Sequence, residues 1–95
     1  MYEFLNELET LIQNRKNHPS QNSYVSSLFE AGLDRLLKKI GEEAGEVIIA
    51  SKNNHLPELK HEAADLIFHL LLVLAYHNLS LSDIIAVLKE RHHGS

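Results

Sequence analysis

The sequence predicts an all-α fold: an antiparallel helical bundle of four main helices plus a short helical piece, completed by dimerisation. Three observations carry this expectation. Apolar residues recur at spacings of three and four along nearly the whole chain, and no stretch alternates with the period of two that a strand requires. The periodic stretches are separated by breakers: the loop-forming run His18-Pro19-Ser20-Gln21-Asn22, then Gly32, then Asn53-Asn54. The stretch 56–77 is apolar on almost every face, more than a small domain can cover by itself.

Taken in order, Phe4, Leu5, Leu8, Leu11 and Ile12 define an amphipathic first helix over 2–16. Ser23 is a suitable N-cap for a short helical piece over 23–30, and Gly32 marks a bend. A long helix over 33–52 places Leu33, Leu36, Leu37, Ile40, Ala44, Val47 and Ile48 on its apolar face. Gly41 and Gly45, four apart on one flank, each cost helix stability, which implies close approach of another backbone there. Pro57 suits the first turn of the next helix, 56–77, whose apolar run is Ala63, Ala64, Leu66, Ile67, Phe68 and then 70–75. Ser80 with Asp83 forms a capping-box pattern, and Leu79 with Ile84 a hydrophobic staple, at the start of a last helix over 81–91.

Composition narrows the function. One small domain over 1–95 is expected from the length, and an apolar fraction of 44% places it among globular proteins. The absence of cysteine excludes disulfides and thiolate metal sites. A net charge of -4 argues against a nucleic-acid backbone as main partner. The apolar run 70–76 is too short to span a bilayer, and the acids Glu3, Glu7 and Glu9 fit no signal peptide, so a cytoplasmic protein is expected.

The chemistry concentrates in two acidic clusters. Glu42 and Glu43 lie three or four residues from Glu46, and Glu62 lies three from Asp65, so each set shares a helix face. Fifteen residues, 47–61, separate Glu46 from Glu62, enough for a turn that folds the two helices antiparallel and brings the sets across one groove. Like charges at these spacings repel, and a hard divalent cation with oxygen ligands would offset that repulsion. The alternative is a solvated face. Against it, no Lys or Arg lies three or four residues C-terminal of Glu42, Glu43 or Glu46, and Asp65 stands at the edge of an apolar run where an unpaired charge is costly.

All-carboxylate ligands favour Mg2+ over zinc. Such a site serves phosphate chemistry: the metal neutralises phosphate oxygens and acidifies water, and a remaining carboxylate accepts the proton. Lys39 shares the carboxylate stripe and is the first candidate to hold phosphate. Lys38, Arg35 and Lys52 are further candidates, with a charged solvent face as the alternative for Arg35 and Lys52. His69, four residues after Asp65, can hydrogen-bond it or support a metal ligand, or be a buried structural histidine. His18, His55, His77, His92 and His93 are expected in loops or at the surface, and His61 is open between roles.

The pattern E-E-x-x-E followed by E-x-x-D resembles the all-α, MazG-like nucleotide pyrophosphohydrolases. More closely, the chain is similar to the phosphoribosyl-ATP pyrophosphohydrolase family of histidine biosynthesis. This rests on Ser23-Tyr24, the run Gly32-Leu33-Asp34-Arg35-Leu36-Leu37-Lys38-Lys39-Ile40-Gly41-Glu42-Glu43-Ala44, then Glu46-Val47, Glu62-Ala63-Ala64-Asp65-Leu66 and the tail Leu79-Ser80-Leu81-Ser82-Asp83-Ile84. The resemblance implies Mg2+-dependent hydrolysis of phosphoribosyl-ATP to phosphoribosyl-AMP and pyrophosphate. It implies metal ligation by Glu43, Glu46, Glu62 and Asp65, with Glu42 as a further ligand or the base, and a homodimer whose helices mix in one bundle. In some organisms the family's domain is fused to phosphoribosyl-AMP cyclohydrolase; this sequence ends after the pyrophosphohydrolase, so it is expected to act alone. Two other functions compete: a MazG-like enzyme that destroys free nucleoside triphosphates, and a helical dimerisation module without catalysis.

Overall fold

The protein is described by a computed structural model over residues 2–93; Met1, Gly94, Ser95 and the side chain of His93 lie outside the described residues, and with them the surface position expected for His93. Five helices follow in order: α1 (Glu3–Asn17), α2 (Tyr24–Ala31), α3 (Leu33–Lys52), α4 (Leu56–Tyr76) and α5 (Leu81–His93). No strand occurs among the described residues. The bounds of α3 are those the periodicity predicts, and the other helices differ by one or two residues at an end, where the last turn has few fixed partners.

The breakers act as their chemistry requires. The Ser26 amide donates to Ser23 Oγ at 3.1 Å, capping α2. Gly32 links α2 to α3 with φ 98° and ψ 174°, a region essentially confined to glycine. No atom lies within 4 Å of where its Cβ would stand. Gly32→Ala therefore tests backbone conformation without a clash, and it is expected to destabilise the fold by about 1–3 kcal/mol, read from the midpoint of urea unfolding. Asn53 closes α3, Asn54 follows with φ 53°, and His55 Nδ1 accepts the Glu58 amide at 3.2 Å to cap α4. His55 is exposed as expected, but its capping role is new: an imidazole nitrogen does what a Ser or Asp does elsewhere.

This tight connection folds α3 and α4 back on one another, and that hairpin is the most extensive helix pairing in the chain. α1 and α2 cover one side of it. The core is Ile12 from α1, Val25 and Leu28 from α2, Leu36 from α3, and Leu71, Leu72, Leu74 and Ala75 from α4. α5 stands apart. It leaves the direction of α4 by 105° and, among the described residues, lends the partly buried Leu81 and Ile84 to the core. The four expected main helices thus do not form one bundle within a single chain.

The cause is a built corner. Asn78 adopts φ 59°, Ser80 N donates to Asp83 Oδ2 at 2.8 Å, and Asp83 N donates to Ser80 Oγ at 3.3 Å, completing the capping box. α1 holds the corner from below. Lys16 Nζ donates to the Ala75 carbonyl and to Asn78 Oδ1, each at 2.7 Å, and Glu9 Oε2 accepts the Leu81 amide at 2.6 Å.

One further expectation changes. Beyond its own helix, nothing among the described residues lies within 4 Å of a Cβ built at Gly41 or Gly45, so no other described backbone approaches that flank. α4 carries more apolar surface than one chain covers, as its composition predicts: Leu71 and Leu72 face the core, while Ile67 and Leu70 are about half exposed. Among the described residues, no single helix is long and apolar enough to cross a membrane.

Candidate functional site

The α3–α4 hairpin carries the two acidic clusters to each other. Glu43 on α3 meets Glu62 and Asp65 on α4, with one carboxylate oxygen from each within 4.8 Å of the others. Glu62 and Asp65 reach the same point because three residues is almost one helical turn. Glu43 and Glu62 are only 8% and 7% exposed, so this is not a solvated face.

The environment opposes charge on these groups. Hydrogen bonding to Glu46 is the main influence that pushes the Glu62 carboxyl up to about 7; burial, hydrogen bonding to Glu58 and the charges of both neighbours act the same way. Burial likewise raises Glu43, helped by the charges of Asp65 and Glu46, while His69 and Lys39 pull it back in part. Glu43 Oε1 and Glu62 Oε2 are buried without a hydrogen-bond partner. Such oxygens are costly unless something satisfies them. Two orphaned carboxylate oxygens beside a third carboxylate, with no thiolate in the set, match the donor chemistry of a hard divalent cation, so the cluster can hold a metal ion.

His69 lies against this cluster and is 5% exposed. Its Nδ1 is 2.9 Å from the Asp65 carbonyl oxygen and in close contact with Glu43 Oε1. The second contact is an electrostatic approach and not an aligned hydrogen bond, which is why Glu43 Oε1 still lacks a donor. On the other side of the ring, Nε2 is 3.4 Å from the Tyr24 hydroxyl. The Tyr24 ring in turn stacks on Phe68, with centroids 6.3 Å apart.

Of the residues singled out in the sequence, the fold therefore brings together Glu43, Glu62 and Asp65, with Glu46 exposed at the rim and acting on the Glu62 carboxyl. Glu42 is exposed and outside the group. Lys39 is half-buried and its charge acts on Glu43, whereas Arg35, Lys38 and Lys52 are exposed. His69 does bond Asp65, through the backbone carbonyl and not the carboxylate. Sequence reasoning gave no site role to Glu58, or to Tyr24, which entered only as part of the resemblance. Glu58 was legible, since it stands four residues before Glu62 on the same helix face. The contact of Tyr24 with His69 was not, because no spacing relates it to a residue forty-five positions away. Beside the cluster an open cavity of about 480 Å3 is bordered by Glu46, Ile49, Ala50, Asn53, His55 and Glu58.

Comparison with known proteins points the same way. Residues 5–92 match the family described as phosphoribosyl-ATP pyrophosphohydrolase. The chain is 53% identical over 90 residues to the phosphoribosyl-ATP pyrophosphatase of Leptospira biflexa, covering 95% of this chain and 98% of that protein. It is 55% identical over 87 residues to the phosphoribosyl-ATP pyrophosphatase of Listeria welshimeri, covering 92% of this chain and 84% of that one. It is also 51% identical over 88 residues to the histidine biosynthesis bifunctional protein of Bacillus subtilis, covering 93% of this chain but only 42% of that longer protein. With the family matched over nearly all of its length and its two acidic helix faces folded into one buried group, this chain belongs to the phosphoribosyl-ATP pyrophosphohydrolase family, whose members are hydrolases.

Proposed function

We propose that residues 1–95 act as one cytoplasmic domain that catalyses the Mg2+-dependent hydrolysis of phosphoribosyl-ATP to phosphoribosyl-AMP and pyrophosphate, the second step of histidine biosynthesis. The observation that carries this reading is the convergence of Glu43, Glu62 and Asp65 with two buried oxygens left unsatisfied. The names of the relatives from Leptospira and Listeria support the substrate.

Glu43, Glu46, Glu62 and Asp65 would hold Mg2+, which supplies charge neutralisation at phosphate oxygens and makes water easier to deprotonate. The chain's own residues do the rest. The α3–α4 hairpin fixes the carboxylates, so no reorganisation is needed during reaction. Lys39, whose charge already acts on Glu43, would balance the cluster and hold phosphate, with Lys38, Arg35 and Lys52 as exposed cations on the same helix. In the chemical step a P–O bond forms from water, the anhydride bond between the α and β phosphorus atoms breaks, and pyrophosphate leaves. The water's proton passes to an exposed rim carboxylate, Glu46 or Glu42.

The assay compares phosphoribosyl-ATP with ordinary NTPs and dNTPs, each with Mg2+, by pyrophosphate release. Preference for phosphoribosyl-ATP is the expected result. Preference for free triphosphates would make this a MazG-like nucleotide-clearing enzyme, and no release from any would leave a dimerisation module.

The working unit in this reading is a homodimer with α4 in the interface. Ile67 and Leu70 on α4, and Ile48 and Ile49 on α3, are large apolar side chains left 46% to 63% exposed in one chain. Light scattering at micromolar concentration is expected to give twice the 10.8 kDa chain mass, and Leu70→Glu to shift the population towards monomer.

A further inference from the structure

We propose that Tyr24 and His69 form a positioning pair that holds Glu43 in its ligating state, and that α2 thereby controls the catalytic carboxylates. The inference rests on the function proposed above and names residues that reading does not use.

The argument starts from the two nitrogens of His69. Nδ1 faces the Asp65 carbonyl oxygen at 2.9 Å and the Glu43 carboxylate. A backbone carbonyl only accepts, so Nδ1 must carry a proton to satisfy it. In the neutral ring Nε2 is then an acceptor, and the group in reach is the Tyr24 hydroxyl at 3.4 Å, which donates. The ring is 5% exposed, so water does not readily replace that donor. The opposite tautomer would turn the Nδ1 lone pair towards two oxygen acceptors at once, which is repulsive.

The consequence falls on Glu43. The Nδ1–H edge of the imidazole lies beside Oε1 and holds the Glu43 side chain turned into the carboxylate cluster. It also leaves the carboxylate without an aligned hydrogen bond, so the oxygen is not consumed by the contact. Tyr24 is held in turn by its stack on Phe68, and its neighbour Ser23 caps α2. The start of α2 is therefore tied through one imidazole ring to a carboxylate on α3.

Two experiments test this. The first is 15N NMR of the histidine rings in the metal-free protein, in alkaline buffer. Wild type is expected to show the proton on Nδ1, with an unprotonated Nε2 that accepts a hydrogen bond. In Tyr24→Phe, which keeps the ring for stacking, the Nε2 resonance should move towards that of a free acceptor. A wild-type ring protonated on Nε2, or a resonance indifferent to Tyr24→Phe, would overturn the proposal whether or not the enzyme acts on phosphoribosyl-ATP. The second is kinetic. Tyr24→Phe is expected to lower kcat on the order of tenfold with little change in KM, as loss of a group supporting a metal ligand does. His69→Asn, whose amide can donate near the Nδ1 position, should retain more kcat than the larger His69→Gln, whose amide falls near Nε2. Equal losses in the two amides, or a rise in KM alone for Tyr24→Phe, would mean that these residues pack or touch substrate and do not position Glu43.

Discussion

Glu43→Gln, Glu46→Gln, Glu62→Gln and Asp65→Asn are each expected to lower pyrophosphate release from phosphoribosyl-ATP by about 100-fold or more while the helical fold persists. The magnitude follows from the charge stabilisation a bound metal supplies in the transition state, several kcal/mol, with each 1.4 kcal/mol worth about tenfold in rate. The amides keep the size of the acids and remove the negative charge. Stability should not fall with activity. Glu43, Glu62 and Asp65 crowd within 4.8 Å, and Glu62 already sits in surroundings that favour its neutral form. An amide at 62 resembles the protonated acid, so Glu62→Gln is expected to unfold at the same or a higher temperature than wild type near neutral pH. Unchanged turnover in the four variants would make the acids bystanders, and loss of helical circular dichroism would make them structural.

Mg2+ is expected to raise the melting temperature strongly at pH 8 and only weakly at pH 5.5. Without metal, the folded Glu62 carboxyl titrates near 7 against an ordinary value of 4.5. Below 4.5 the folded and unfolded states both carry the proton. Between 4.5 and about 7 the folded state keeps a proton that the unfolded state has released, so metal-free stability falls as pH rises across this window and levels off above it. Glu43, also raised, acts with the same sign. A cation must displace the Glu62 proton at low pH and meets a carboxylate at high pH, so its affinity rises up to about pH 7. At 100 times its dissociation constant, a ligand specific for the native state adds about 2.7 kcal/mol. Differential scanning calorimetry with and without Mg2+ across this range measures both trends. Titration calorimetry in two buffers of different ionisation enthalpy should show proton release below pH 7. A Mg2+ effect independent of pH would mean that Glu62 is not a ligand.

Both predictions rest on features with different origins. Helix periods, caps and breakers are local. Spacings of three and four, Ser23 before α2, Gly32 and Asn53-Asn54 act through residues within a turn of each other, so the sequence alone determined that the protein is all-helical, where each helix lies, and that Glu43 and Glu46, like Glu62 and Asp65, share a face. The family match followed from the same residues. Everything that depends on non-local geometry was decided by packing. The capping box at Ser80 was legible, but the 105° departure of α5 also needed Lys16 and Glu9, more than fifty residues away, to hold the corner. The two glycines on α3 looked like a contact flank, yet whether another backbone arrives there depends on where neighbouring helices lie, and among the described residues none does. The periodicity placed Glu42 beside Glu46, but the rotation of α3 against α4 turned Glu43 inward and left Glu42 in solvent. That rotation also buried the acids, raised Glu62, and set the His69 ring between Tyr24 and Glu43. Burial and the meeting of distant side chains are properties of the packed hairpin, because desolvation and electrostatic strength depend on what surrounds a group and not on its place in the chain.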